Sequence, residues 1–319
     1  MRVAVVGAGL AGLVAARALS HDHDVLVLDK GRSVGGRLAT RRIGDATLDH
    51  GAQFFTVRGD ALRRQVDDWL DRGLATTWCN GFSAPHDGFP RYCGTTGMNS
   101  LAKDLATGLD CRTDRLVFTC RRTENGWDVV IDDGEVIEAD ALVLTCPVPQ
   151  SWSLLVQAEL DIPEELFRRH YHRTIGLLTV LDAPSAVPEP GGLQFDATDA
   201  GQPFGFVADN AMKGVSDVPA VTFHATQPWS AEHWDDDPDT LRDLLLERAQ
   251  PWIGAAGIVE AQVKKWRFAG PVMPWPEPCW VDDEHRVVLA GDLFAGPKFE
   301  GAFNSGLAAA DAVTDFTAD

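Results

Sequence analysis

Residues 2–29 read RVAVVGAGLAGLVAARALSHDHDVLVLD. The opening run is β-branched and apolar and stops at a glycine. LAGLVAARALS then continues with helical spacing of apolar residues, and VLVLD is a second apolar strand ending in an acid, so the stretch reads as strand, helix, strand. Between the first strand and the helix, Gly7-Ala8-Gly9-Leu10-Ala11-Gly12 has the spacing G-x-G-x-x-G. The first glycine permits the tight turn, the second lets backbone approach a pyrophosphate, and the third lets helix pack on strand. The helix N-terminus at Leu10 and Ala11 offers unpaired N–H groups and a positive dipole end to phosphates. Asp29, beside Lys30, stands where a carboxylate accepts from ribose hydroxyls. The stretch implies dinucleotide binding, with a structural glycine turn as the alternative.

Two more segments separate FAD from NAD. In Gly31-Arg32-Ser33-Val34-Gly35-Gly36-Arg37 the paired Gly35 and Gly36 let backbone lie against a second bulky moiety, and Arg37 is expected to face phosphate or flavin. Near the C-terminus, Gly291-Asp292 ends an apolar strand (RVVLAGD) and Glu300-Gly301-Ala302 opens a helix of small residues that includes Ser305. Asp292 is placed to accept from ribityl hydroxyls, and the helix end sets positive potential beside a flavin N1/C2 carbonyl. These features point to FAD, with Leu116 a further candidate contact.

Between the two ends, Asp60–Arg72 is a one-sided helix, Trp78–Cys93 an irregular covering segment, and Asn99–Thr107 another helix. Strands follow at 115–122, 127–131 and 135–138 with an Asp133-Gly134 turn, then the wholly apolar ALVLT at 141–145, halted by Pro147 and Pro149. From about Ser151 the texture changes to alternating strands such as IGLLTVLD and PAVTFHAT. The expected fold class is α/β: a doubly wound, FAD-binding Rossmann-like domain with an inserted β-meander, plus a second, α+β substrate domain with a mixed antiparallel sheet. The first comprises residues 1–58, 97–148 and 284–319; the second comprises 59–96 and 149–283.

The chain has 319 residues and a net charge of −19, which disfavours nucleic acid as a partner. An anionic ligand therefore needs arginines or amides gathered locally around it. Six scattered cysteines form no C-x-x-C pair and no zinc spacing, so no metal is expected and a reducing cytoplasm fits. The apolar run Val3–Leu19 has the length of a signal sequence, but its three spaced glycines and the strand after it favour the nucleotide-binding reading. No membrane partner is expected. The basic run FRRHYHR at 167–173 reads as a solvated helix end, with an anion site as the alternative.

Leu48-Asp49-His50-Gly51-Ala52-Gln53-Phe54-Phe55-Thr56, His224-Ala225-Thr226 with Trp229-Ser230, Trp266 with Ala269 and Pro271, and the terminal Gly291, Asp292, Glu300, Gly301, Ala302, Ser305 and Gly306 complete the pattern. Taken with the glycine loops, these motifs resemble the flavin-dependent amine oxidase superfamily, and within it the bacterial renalases, from Val3 to Val313. The resemblance implies that Gly51, Ala52, Gln53 and Phe54 border the flavin. It implies a substrate surface at His224, Thr226, Trp229, Trp266 and Phe268. Lys264-Lys265 stands where that branch carries histidine and arginine. The segment LFAGPKFEGAF holds no cysteine, so the FAD is expected to be non-covalent.

The activity implied is an oxidase: a 2- or 6-dihydronicotinamide dinucleotide gives hydride to flavin N5 and leaves as NAD(P)+, and O2 is reduced to H2O2. No catalytic acid or base is assigned, because the cofactor carries the chemistry. The alternatives are an amine oxidase or desaturase on the same scaffold, and a flavin-binding protein without turnover. His224 has a structural alternative as well, a core histidine satisfied by a backbone carbonyl.

Overall fold

In the computed structural model, which describes residues 1–82, 88–196, 203–296 and 298–316, the two ends of the chain meet in one sheet. Its six strands run in the order Trp280–Asp282, Val287–Leu289, Ala141–Leu144, Arg2–Val6, Asp24–Leu28, Asp110–Arg112. All pairings are parallel except that of the Trp280–Asp282 edge strand. Strands buried on both faces need apolar residues throughout, and Val3–Val6 and Ala141–Leu144 are all buried. The first strand therefore lies between the mid-chain strand Ala141–Leu144 and the second strand Asp24–Leu28, two places from the C-terminal strand Val287–Leu289.

Helix Leu10–Leu19 covers one face and packs against the last helix, Lys298–Asp315. Small residues permit this approach: a Cβ on Gly306 would lie 2.4 Å from the Ala11 carbonyl oxygen. The other face carries an antiparallel meander, Val117–Arg122, Trp127–Ile131 and Val136–Ala139, whose second turn places Gly134 at φ 93°. Trp127, Val129 and Ile131 pack with Leu142 and Leu144 in one apolar cluster. The helix Val148–Leu155 begins where the sequence suggested only a stop. Pro149 lies in its first turn, where a missing N–H costs nothing.

The second layer is a five-stranded sheet in the order Gly192–Gln194, Phe204–Asp209, Ala220–Ala225, Tyr171–Leu181, Ile258–Pro271, with every pairing antiparallel. Helix Pro238–Ile253 buries Leu241, Leu245, Ala249 and Ile253 against it, and the Asp237 carboxylate caps its first turn by accepting from the Asp239 and Thr240 amides. The hairpin Thr40–Ile43/Ala46–Asp49 joins the layers: Ile43, Ala46 and Leu48 pack on Leu178, Val180 and Ala220. The Trp78–Cys93 segment, expected to be irregular, has paired strands at its ends, Ala75–Cys79 with Arg91–Gly94. The local reading missed this pairing because four- and five-residue strands lack a visible period; residues 83–87 lie outside the described residues.

Candidate active site

The loops at the carboxyl ends of the parallel strands open onto a cavity of about 2190 Å³. That exceeds the roughly 300–1,000 Å³ of an ordinary small-molecule site and suits a dinucleotide with a second ligand beside it. The three motif glycines do different work around it. Gly7 sits at φ 110°, and its Cβ would lie 2.6 Å from Thr145 Oγ1. Gly12 has turned away from the cavity, its Cβ position 1.9 Å from the Gly7 carbonyl oxygen, so its role is helix packing. Gly9 is the extended N-cap of helix Leu10–Leu19, has no side chain to cap it, and faces open space with nothing within 4 Å of a Cβ. The amides of Leu10 and Ala11 are thus left for an anion in the cavity.

The second glycine loop is laced to the first, with Gly35 N donating to the Ala8 carbonyl at 2.7 Å. Asp29 is braced by the amides of Ala8 (2.7 Å) and Gly31 (2.6 Å). Asp29, Lys30, Gly35, Gly36 and Leu116 all line the cavity. The cradle fits a pyrophosphate-bearing dinucleotide.

At the other end, Arg37 was expected to face phosphate or flavin and Asp292 the ribityl chain. The two form a bidentate pair, with Arg37 Nη2 2.6 Å from Asp292 Oδ1, while Arg37 also donates to the Phe268 carbonyl at 3.2 Å. Burial works against the Arg37 charge, and Asp292 more than offsets it. Both residues still line the cavity, as do Gly51, Ala52, Phe54, Gly291, Glu300, Gly301 and Ala302. The Glu300 carboxylate accepts from the Arg58 (3.0 Å) and Gly59 (2.5 Å) amides. Gln53 and Ser305 are placed off the cavity. Gln53 donates to the Asp49 carbonyl at 2.7 Å, and Ser305 Oγ accepts from Gly291 N at 2.9 Å, so each shapes a loop that lines the cavity.

The expected substrate surface divides. His224, Trp266 and Phe268 line the cavity, whereas Thr226 and Trp229 do not. The strand ends at Ala225, and Thr226 becomes the N-cap of helix Gln227–Glu232, accepting from Trp229 N. Trp229 lies beside His233 with ring centroids 4.2 Å apart. Sequence reasoning did not single out His50, whose ring stacks on Trp266 at 5.3 Å and 24°. It also missed Gln194, Gln227, Arg58 and Arg91 on the cavity wall. Only the helix start at Gln227, signalled by Thr226-Gln227-Pro228, could have flagged one of these.

The His50 carbonyl accepts from both Trp266 Nε1 (2.8 Å) and His224 Nε2 (3.1 Å). His224 is thus satisfied by a backbone carbonyl and is also a cavity residue. Burial holds both imidazoles down at about 4. His224 and Lys264 add to that effect at His50, and the bond to the His50 carbonyl opposes it at His224. Both rings are neutral at neutral pH. The cavity wall carries nine basic residues (Lys30, Arg37, Arg42, Arg58, Arg91, Lys103, Arg115, Arg267, Lys298) and three acids (Asp29, Asp292, Glu300) in a protein of charge −19, with Arg115 paired to Asp133 outside the wall at 2.6 Å. Of the expected basic run, His172 reaches the wall, while Arg168 pairs with Glu164 and Arg169 lies over Trp275.

Among the described residues no cluster of three or more His, Cys, Asp or Glu could hold a metal, and no helix is long and apolar enough to cross a membrane. Cys279 packs in the apolar core off the cavity, its thiol pushed up to about 11 by burial.

Residues 5–69 match the NAD(P)-binding Rossmann-like domain, and residues 69–314 match the flavin-containing amine oxidoreductase family. The chain belongs to the flavin-containing amine oxidoreductase family. Its cofactor is FAD, and it is an FAD-dependent oxidoreductase. Mouse renalase is 22% identical over 336 residues, 96% of each chain. A putative flavin-containing monoamine oxidase of Mycobacterium tuberculosis is 46% identical over 61 residues, 19% of this chain and 13% of that one. Among solved structures, a putative protoporphyrinogen oxidase from Exiguobacterium superposes with TM-score 0.75 at 14% identity, covering 98% of each chain. A fatty acid isomerase from P. acnes that produces CLA gives 0.71 at 13%, covering 99% of this chain and 98% of that one. These structural likenesses establish the fold.

Proposed function

We propose that this flavoprotein is an oxidase of dihydronicotinamide dinucleotides of the 2- or 6-dihydro type, releasing NAD(P)+ and passing the electrons to O2. The observation that carries this reading is the charge of the cavity. A protein of net charge −19 has placed nine basic residues against three acids on one concave surface, and a bound FAD pyrophosphate answers only part of that imbalance. A second anionic ligand is stabilised there; an alkylammonium ion is repelled. Two of the arginines share one lip: the Arg58 guanidinium lies 5.1 Å from the Phe89 ring centroid, and Arg91 donates to the Phe89 carbonyl at 2.6 Å. Arg58 on that lip suits the substrate's phosphates.

Trp266, backed by the stacked His50 ring, offers a wall for a planar ring, and Phe54, packed on Phe82 at 5.0 Å and Phe206 at 5.7 Å, adds apolar surface to the same cavity. FAD, held by the Gly9 and Gly35 loops, supplies the hydride acceptor. Aromatisation of the substrate drives the transfer, so no side chain must remove a proton, which agrees with a cavity histidine, His224, that burial already keeps neutral. On this reading the FAD is non-covalent, the protein works in the cytoplasm, and residues 1–58, 97–148 and 284–319 hold the cofactor while 59–96 and 149–283 shape the substrate side.

The test is anaerobic bleaching of the flavin by 2- and 6-dihydro-NAD(P), NADH and benzylamine. Rapid bleaching by a 2- or 6-dihydro isomer, with little by NADH or benzylamine, is expected. Rapid bleaching by the amine would overturn the reading.

A further inference from the structure

Lys213 and Asp49 form an ion pair, Nζ to Oδ2 2.7 Å, whose side chains are both fully buried, and neither lines the cavity. Removing two charges from water in this way costs more than an apolar pair of the same shape, so the pair calls for a geometric rather than a stability argument. Asp49 is held at every polar atom. Its Oδ1 accepts from Thr40 Oγ1 (2.5 Å) and Met98 N (2.8 Å), its amide donates to Asn210 Oδ1 (3.2 Å), and its carbonyl accepts from Thr222 Oγ1 (2.8 Å) and Gln53 Nε2 (2.7 Å). Lys213 is fixed in turn: its amide bonds to the Asp209 carbonyl at 3.0 Å, within a turn whose Ala211 and Met212 amides donate to the Asp209 carboxylate. The cation also lies 5.1 Å from the Trp78 ring centroid.

The next peptide is the one that matters to the cavity. A carbonyl can only accept, so the bond from His224 Nε2 to the His50 oxygen places the ring proton on Nε2 and leaves Nδ1 as a lone pair. No atom of the His224 ring is among the buried polar atoms left without a partner, and the residue lines the cavity, so that lone pair is available to a ligand there. Burial, with Lys213 adding to it, keeps the ring neutral.

We infer that Lys213 and Asp49 are positioning residues: through the Asp49–His50 peptide they lock His224 as a fixed hydrogen-bond acceptor for an N–H donor carried by a planar ligand, the class to which a ring carboxamide belongs. The inference rests on the reading of this cavity as the substrate compartment.

The experiment uses holoenzyme labelled with 15N-histidine, His224 being assigned through His224→Gln, together with titration of NAD+ followed by the flavin absorption spectrum. The wild-type spectrum is expected to show His224 as a single neutral Nε2–H tautomer. Lys213→Met combined with Asp49→Asn removes both charges without stranding either. This double variant is expected to keep its FAD but to show averaged His224 nitrogens and NAD+ affinity lowered about tenfold, as expected for loss of one oriented hydrogen bond. Leu245→Ala, a core truncation remote from Asp49, is the control for simple destabilisation and is expected to leave both readouts unchanged.

An Nδ1–H tautomer in the wild type overturns the inference, and so does a double variant whose His224 spectrum and NAD+ affinity match the wild type. The wild-type spectrum decides the tautomer even if the double variant does not fold. A fixed tautomer that is lost in the double variant, in an enzyme that neither binds NAD+ nor is reduced by any dihydronicotinamide, supports the positioning role and overturns the dinucleotide reading instead.

Discussion

A Cβ added at Gly9 meets no protein atom within 4 Å, so nothing in the fold forbids a side chain there; what it would obstruct is the ligand. Gly9→Val is therefore expected to fold with near-normal thermal stability yet purify with little FAD, measured as the flavin-to-protein absorbance ratio. Normal flavin content would remove the loop from the cofactor site. Trp266 lies beyond the glycine loops and donates to the His50 carbonyl, so Trp266→Ala is expected to slow flavin reduction at least tenfold while sparing FAD content, both read by stopped-flow spectroscopy. His224 makes a prediction about pH. The unfolded chain takes up its proton near 6.5, but the folded ring does so only near 4. Between those values the unfolded state binds more protons, so this group's contribution to stability is constant above about pH 6.5 and falls as pH drops toward 4. The difference in unfolding free energy between wild type and His224→Gln is expected to shift against wild type across that window, by an amount on the order of a few kcal/mol at most, as measured by denaturant titration at each pH. A difference independent of pH would show that the ring is not held neutral.

At the scale of elements, the contact between helix Leu10–Leu19 and helix Lys298–Asp315 ties the C-terminus to the pyrophosphate cradle. The last helix can come so close because Gly306 faces the Ala11 carbonyl, an atom of the helix whose first turn lines the cavity. Gly306→Val drives a branched side chain into backbone and into Val14, so the helices must part. The expected cost is about 1–3 kcal/mol or more, seen as a lower Tm together with weaker FAD retention. An unchanged Tm would mean that the helices separate freely. The paired outcome distinguishes this site from Gly9, where cofactor is lost and stability is not.

For the whole molecule the governing contrast is an acidic exterior around a basic cavity. Long-range attraction of an anionic substrate into the cavity is screened as the Debye length falls from about 30 Å at 0.01 M salt to about 8 Å at 0.15 M. The observed rate constant for flavin reduction at limiting dihydronicotinamide is expected to fall with added NaCl, whereas the limiting rate at saturation stays nearly constant. A salt-independent second-order rate would show that the nine basic residues act only on the bound FAD.

Local chemistry carried the cofactor half of this protein. The strand–Gly7-Ala8-Gly9–helix turn, Asp29, the Gly35-Gly36 loop and the Gly291-Asp292 strand end are each written in a few consecutive residues, because backbone conformation and helix periodicity are short-range properties. The motif resemblance placed His224, Trp266 and Phe268 with it. The tertiary structure alone decided how those residues are used. Arg37 and Asp292, 255 positions apart, neutralise each other; Thr226 and Trp229 turn into a helix start instead of the cavity; and Lys213 reaches across 164 positions to Asp49. The basic wall is likewise assembled from separate segments, so a chain that reads as acidic throughout conceals it. Charge pairing and cavity shape depend on which segments pack together, and that is settled by burial of the apolar layers, which no single stretch of sequence contains.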